Sequence, residues 1–272
     1  MFLEIAGTRL EAAWIGSGPA DSQHGRPILV FLHDGLGCVD LWRGFPERLC
    51  RKAGLGGFLY SRAGYGRSDP IPLPRPLDYE TVEGVTVLPH VLEAAGIGDA
   101  ILVGHSDGAT MALLCCGGTP AAGIRGIIAM APHVFNEDRS VAGIIAARQA
   151  YREGDLRARL ARVHGANVDC AFLGWSGAWL DPGFRHWNIE PVLADVRVPV
   201  LVIQGEDDEY GTLAQVDAIR AGAGGPVQTV VLPGLRPCSL PGPAGGHHRG
   251  LCRLCRQPCR RARCTASGLS VG

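Results

Sequence analysis

Ala100-Ile101-Leu102-Val103-Gly104-His105-Ser106-Asp107-Gly108-Ala109 is the stretch that decides the fold. Its first four residues form a short apolar run, as a strand buried on both faces requires. Ala109-Thr-Met-Ala-Leu-Leu-Cys-Cys116 continues as an apolar helix. Strand, sharp turn and helix follow one another, with Gly104 and Gly108 bracketing Ser106. The frame Gly104-His105-Ser106-Asp107-Gly108 is G-x-S-x-G, and the glycines have a mechanical reason. A serine on so tight a turn takes a strained backbone conformation, and side chains at either glycine would collide with the neighbouring strand or helix. The hydroxyl is held above the sheet, and the N–H groups of the following helix point at the same spot.

Working outward, Pro27-Ile-Leu-Val-Phe-Leu32 is a second continuous apolar strand, running into His33-Asp34-Gly35-Leu36-Gly37. A glycine-rich loop at the carboxyl end of a central strand is where an open α/β sheet binds its ligand. The N–H groups of Gly35 or Leu36 are candidates for a second oxyanion donor beside that of Asp107. Residues 2–15 alternate in two runs joined at Gly7-Thr8 and predict a hairpin. Helical spacing covers Leu41–Ala53, with Trp42, Phe45 and Leu49 on one face, and again 79–95 and 213–221. Further strands are predicted at 57–60, 124–131, 196–203 and 227–232. Ser61-Arg-Ala-Gly-Tyr-Gly-Arg-Ser68 is a turn that needs glycine twice.

From His133 to Glu190 the pattern is helical, with segments at 140–151 and 155–164 and aromatic anchors Phe172, Trp175, Trp179 and Trp187. A helical insertion between core strands is a lid candidate, which excludes water and shapes the pocket. Core packing is the first expectation for each aromatic, and Arg157, Arg159 and Arg162 are expected to be a solvated face. The resulting division is a core at 1–132 and 191–234, a helical cap at 133–190 and a tail at 235–272. Val196–Ile203 ends at Gln204-Gly-Glu-Asp-Asp-Glu209; four crowded acids repel one another, so one is expected to be held by a partner.

Composition excludes several classes. Lys and Arg number 26, as do Asp and Glu, so a zero net charge argues against nucleic acid or an anionic membrane as partner. No signal peptide is evident and no uncharged apolar run approaches the ~20 residues that span a bilayer. A soluble cytoplasmic protein is the default expectation. Cys38, Cys50, Cys115, Cys116 and Cys170 sit in apolar surroundings and read as small buried hydrophobes.

The His33-to-Gly37 loop, the Ser61-to-Ser68 turn, the Gly104-to-Gly108 elbow and the Gly205-x-x-Asp208 acid loop together resemble the α/β-hydrolase superfamily. The resemblance runs from Ile28 to Gly234. It implies an α/β-hydrolase fold, a doubly wound, mostly parallel sheet of about eight strands with a helical cap. It also implies hydrolysis of a small-molecule ester, thioester, lactone or carbon–carbon bond through an acyl-enzyme, without a cofactor or metal. Carried over, Ser106 is the nucleophile, the Asp107 N–H an oxyanion donor, and Asp208 the acid that orients a histidine. Asp34 departs from the pattern, which has glycine after the histidine.

The histidine itself is not where the family places it. Leu232-Pro-Gly234 is followed by Leu235-Arg-Pro-Cys238. From residue 235 onward there is no Asp, Glu or Lys but seven Arg, and Cys238, Cys252, Cys255, Cys259 and Cys264 crowd together. Such a break suggests a change of reading frame. If residues 235–241 are encoded CTG CGG CCA TGC TCC CTT CCG, the frame one base later reads Cys-Gly-His-Ala-Pro-Phe, which restores Gly-His. Two rival readings keep the tail: His247 or His248 swings back to Ser106 and Asp208, or Cys252-x-x-Cys255 with its neighbours binds zinc. A non-catalytic, small-ligand binding protein of the same fold is the alternative to an enzyme.

Overall fold

The computed structural model describes residues 1–16, 18, 26–118 and 123–234. The tail features, His247, His248, Cys252, Cys255, Cys259, Cys264 and the proposed frame change, lie outside the described residues.

Eight strands form one sheet: β1 (Phe2–Ile5), β2 (Thr8–Ile15), β3 (Ile28–Leu32), β4 (Gly57–Tyr60), β5 (Ala100–His105), β6 (Ile124–Met130), β7 (Val200–Gly205) and β8 (Val227–Leu232). Their spatial order is β1-β2-β4-β3-β5-β6-β7-β8. β1 and β2 are antiparallel, β2 runs antiparallel to β4, and the other pairs are parallel. The hairpin between β1 and β2 turns on Ala6 and Gly7, both at positive φ (49° and 79°), the backbone that matches strand twist.

Helices cover both faces, which explains the unbroken apolar runs. On β3, Ile28, Val30 and Leu32 join one core with Leu113, Ile127 and Val202. Leu29 and Phe31 join the opposite one with Phe45, Val103 and Met130. Strand β3 is thus buried along its whole length. Helix α1 (Phe45–Ala53) lies against the second core. The predicted helix over 41–53 is divided: Val39–Trp42 is a 3-10 turn, Arg43 and Gly44 are left-handed (φ 48° and 75°), and α1 restarts with Pro46 in its first turn. Tyr79–Thr81, Val82–Val87 and Leu88–Ala94 run on as one helix, α2, whose middle segment is a π-helix. Helix α3 (Asp107–Gly118) follows β5 directly and is buried from Asp107 to Cys116. It has no polar face because sheet and helices surround it.

Between β6 and β7 the chain forms α4 (Asp138–Glu153), α5 (Leu156–His164), α6 (Val168–Trp179) and the short α7 (Glu190–Leu193). The first three pack a separate apolar cluster that includes Ile144, Leu160, Phe172, Trp175 and Trp179, together with Leu36 of the β3 loop. Arg157 is exposed and pairs with Asp169, whereas Arg159 is half-buried, so the basic face is less solvated than its composition suggests. The strand expected at 196–203 begins only at Val200. Pro199 has no N–H to offer a ladder, although its carbonyl accepts from Ile127 N–H. Helix α8 (Leu213–Gly222) and edge strand β8 complete the described chain, and Val230 and Val231 on β8 are exposed.

Cys38, Cys50, Cys115 and Cys116 are buried free thiols and Cys170 is half-buried. Burial pushes the Cys38, Cys115 and Cys116 thiols up to about 12, so they stay uncharged. No helix among the described residues is long and apolar enough to cross a membrane.

Candidate active site

Ser106 stands at the junction of β5 and α3 with φ 51°, a left-handed conformation that a side chain seldom adopts. Two glycines make the junction possible. A Cβ on Gly104 would lie 2.3 Å from the Gly108 carbonyl oxygen, and one on Gly108 would lie 2.1 Å from the Leu32 carbonyl oxygen. The turn is pinned by Ser106 N–H donating to Met130 O at 2.9 Å and by Ala109 N–H donating to Ser106 O at 2.8 Å. A cleft opens over the serine, lined by Asp34, Gly35, Leu36, His105, Ser106, Ala131, His133, Trp175, Asp208 and Tyr210. Sheet loops supply most of this lining, and α6 supplies Trp175.

Of the four acids at 206–209, Asp208 is the one that faces the cleft, buried to 1 % exposure. Its Oδ1 accepts from Tyr210 N–H (2.8 Å) and Gly211 N–H (3.2 Å), and its Oδ2 accepts from Gln204 Nε2 (2.8 Å). Asp207 is exposed. Burial raises the Asp208 carboxyl above its usual range, against the pull of those donors.

The β3 loop is held from beneath by Arg62, a fully buried side chain that the sequence pattern did not single out. Its guanidinium donates to His33 O (2.6 Å) and Asp34 O (2.9 Å) and lies over the Tyr65 ring at 4.9 Å. His33 accepts from Arg62 N–H at Nε2 (3.1 Å), so Nδ1 carries the proton and donates to Asp34 O (2.7 Å). His164, at the end of α5, accepts from Gly66 N–H (3.0 Å) and so donates through Nε2 to Leu36 O (3.0 Å). It ties α5 to the loop and to the Ser61-to-Ser68 turn. That turn uses glycine twice, with Gly64 and Gly66 at φ 84° and 51°.

Of the two N–H groups expected on this loop as oxyanion donors, Leu36 is occupied: it donates to Asp34 Oδ1 at 2.8 Å. The side chain at position 34 closes an Asx turn that glycine could not make. Gly35 N–H makes no hydrogen bond among the described residues. Asp107 N–H lies in the first turn of α3, where no intrahelical acceptor exists. Asp34 also reaches across the cleft, where its Oδ2 accepts from His105 Nδ1 at 3.2 Å. Burial opposes charge on both groups, yet each favours the charged form of the other. The hydrogen bond and charge of His105 keep Asp34 below its ordinary value, while those of Asp34, with the charges of Asp208 and Asp107, keep His105 above its own.

His133 behaves differently. It is 4 % exposed, its Nδ1 has no partner among the described residues, and burial drives its pKa down to about 4. Edge contact with Trp179 at 5.3 Å holds the ring.

Below the elbow, the Asp107 carboxyl is buried and accepts from Tyr79 OH at 2.8 Å. Tyr79 oxygen accepts in turn from Trp179 Nε1 of α6 (2.9 Å), and Glu80 Oε1 lies 3.1 Å away. Tyr79 has one proton and two carboxyls in reach. Burial, together with the charge of Asp107, raises Glu80 well above the carboxylate range, so Glu80 brings the second proton. Arg75 lies over the Tyr65 and Tyr79 rings at 5.0 Å in each case and supplies compensating charge. Sequence reasoning missed Arg62, His133, His164 and Tyr79 because each acts through a contact distant in the chain.

The sequence matches the alpha/beta hydrolase family over residues 29–248, and the chain belongs to that family. The match runs beyond Gly234 and takes in His247 and His248. No curated protein matches the chain. Solved structures share the fold at low identity. The enol-lactonase from Burkholderia xenovorans LB400 has a TM-score of 0.63 at 18 % identity, over 85 % of this chain and 91 % of the other. An esterase from Exiguobacterium antarcticum has a TM-score of 0.64 at 18 % identity, over 85 % and 90 %. An N-acyl homoserine lactone degrading enzyme has a TM-score of 0.60 at 20 % identity, over 85 % and 92 %. The chain is a hydrolase of this family by descent.

Proposed function

We propose that the chain is built as a serine hydrolase that cleaves a small ester, thioester, lactone or activated carbon–carbon bond. The observation that carries this reading is the strained Ser106 at the head of a buried helix, opening into the same cleft as the buried Asp208. Ser106 Oγ attacks the substrate carbonyl and loses its proton to a histidine base, which Asp208 orients. The tetrahedral oxyanion is met by the N–H groups of Asp107 and Gly35. Collapse returns the proton to the leaving oxygen, sulfur or carbon and leaves an acyl-serine, which water hydrolyses by the same route. The named activities of the structural relatives, on lactones and esters, fit this range.

The base is the member without an assigned residue. A frame change after Gly234 has removed the family histidine, or His247 or His248 takes its place; the family match reaches both. A second reading, a binding protein without turnover, is favoured by the same substitution of Leu235-Arg-Pro-Cys238 for the family's Gly-His. A fluorophosphonate probe and p-nitrophenyl butyrate separate the readings. The enzyme predicts labelling and turnover that vanish in Ser106→Ala and fall by at least about 10³-fold in Asp208→Asn. If neither occurs in this chain, nor after the shifted frame is restored, the hydrolase reading is lost.

A further inference from the structure

The residue that faces Gly35 across the cleft comes from the cap. A Cβ on Gly35 would lie 2.3 Å from Trp175 Nε1 and 2.5 Å from Trp175 Cδ1. The nitrogen-bearing edge of the indole therefore rests against the α-carbon of residue 35. One bond length further, Nε1 is within about 4 Å of that α-carbon. This contact explains why position 35 carries no side chain.

Trp175 Nε1 makes no hydrogen bond among the described residues. Buried tryptophan N–H groups usually find a partner, and Trp179 shows the usual outcome by donating to Tyr79 OH. Trp42 Nε1 is sealed from solvent without a partner. Trp175 lines the cleft with Ser106 and Gly35, and its Nε1 is not sealed from solvent as that of Trp42 is. The ring cannot easily turn away. It packs edge-on against Phe172 (6.0 Å, 68°) and Tyr210 (6.4 Å, 61°) within the cap cluster. A donor so fixed has already met the cost of orientation.

We propose that Trp175 Nε1–H is a third, cap-borne hydrogen-bond donor to the carbonyl oxygen of the substrate, beside Gly35 N–H and Asp107 N–H. The cleft thereby selects acyl compounds whose carbonyl oxygen can take two donors from the core and one from the cap. Assigning the oxygen to a reacting carbonyl rests on the hydrolase reading, but the binding of an acyl oxygen at Trp175 does not.

The test uses the full chain labelled with ¹⁵N in its tryptophan indoles, titrated with butyrate as a product-like carboxylate whose binding is followed by its own NMR line width. One indole N–H resonance, identified by its absence in Trp175→Phe, moves downfield and saturates with butyrate. It does so in Ser106→Ala as well, since no nucleophile is needed. Trp175→Phe weakens butyrate binding at least about tenfold, the value of one charge-assisted hydrogen bond. The four remaining indole resonances report whether that variant is folded, and Trp175→His, which keeps a ring N–H, regains part of the affinity. Butyrate that fails to bind, or binds while the Trp175 resonance stays fixed, overturns the assignment. A moving resonance in a chain whose Ser106 takes no fluorophosphonate, even after the shifted frame is restored, sinks the hydrolase reading and leaves the donor in place. A fixed resonance with a labelled Ser106 does the reverse.

Discussion

Adding one methyl group to a glycine is expected to act in opposite directions at two places in this chain. At Gly108 the new Cβ meets Leu32 O at 2.1 Å, Leu32 C at 2.5 Å and His33 O at 2.7 Å, all main-chain atoms. Ordinary contact begins at 3.4 Å, so the overlap with the carbonyl oxygen exceeds 1 Å. No side chain can swing aside to relieve it. Strand β3 is buried throughout and α3 is buried from Asp107 to Cys116, so the strain must push helix from sheet. Overpacking of this kind costs about 3 kcal/mol, and at about 2–4 °C per kcal/mol for a domain of this size the midpoint falls by roughly 6–12 °C. At Gly177, within α6, nothing lies within 4 Å of the added Cβ. There alanine relieves the unfolded-state entropy of a helical glycine, worth about 0.5–1 kcal/mol. Calorimetry or urea unfolding of Gly108→Ala and Gly177→Ala reads both signs. A Gly108→Ala protein as stable as the parent would refute the claim that close approach at the elbow dictates the glycine.

Three other perturbations follow from the buried polar groups. Tyr79→Phe leaves Trp179 Nε1 and the Asp107 carboxyl without their shared partner, and is expected to cost about 3 kcal/mol in urea unfolding; a loss near zero would mean that the network relaxes freely. His133 is held neutral down to about pH 4 in the fold, whereas the unfolded chain protonates near 6.5. Its folded pKa is depressed, so stability falls as pH drops from 6.5 to 4, by about 3 kcal/mol in all. His133→Gln should flatten that part of the stability curve, and parallel curves for the two proteins would contradict it. His105 has the opposite sign: its raised pKa adds stability that is fully present below the unfolded value near 6.5 and disappears as pH rises through the folded one. In Asp34→Asn the NMR titration midpoint of His105 should drop, and a parent midpoint at or below 6.5 would exclude the ion pair.

Most of the fold was legible because its causes are local. The unbroken apolar runs at 28–32 and 100–103 follow from a sheet covered on both faces, and β8 spans Val227–Leu232, the bounds expected from the sequence. Boundaries moved where one residue's covalent geometry intervened, at Pro199 before β7 and at Arg43-Gly44 before α1. Of the candidate site residues, Ser106, Gly35, Leu36 and Asp208 line one cleft, Asp107 follows Ser106 at the start of α3, and the N–H of Leu36 is taken by its neighbour's carboxylate. Asp34 stood out in the sequence only as a departure from the family pattern.

By itself, the sequence determined which segments are strands and helices, where the chain turns sharply around Ser106, and which family the chain belongs to. Each of these depends on hydrophobic period, steric limits of a few adjacent residues, or motifs of fewer than ten positions. The tertiary structure alone decided that Asp34 pairs with His105, that Arg62 clamps the loop of Gly35, and that His133 is stripped of its proton. It also decided that the indole of Trp175 meets Gly35. These depend on burial and on contacts between residues 28 to 140 positions apart, and neither quantity exists until the chain has closed on itself.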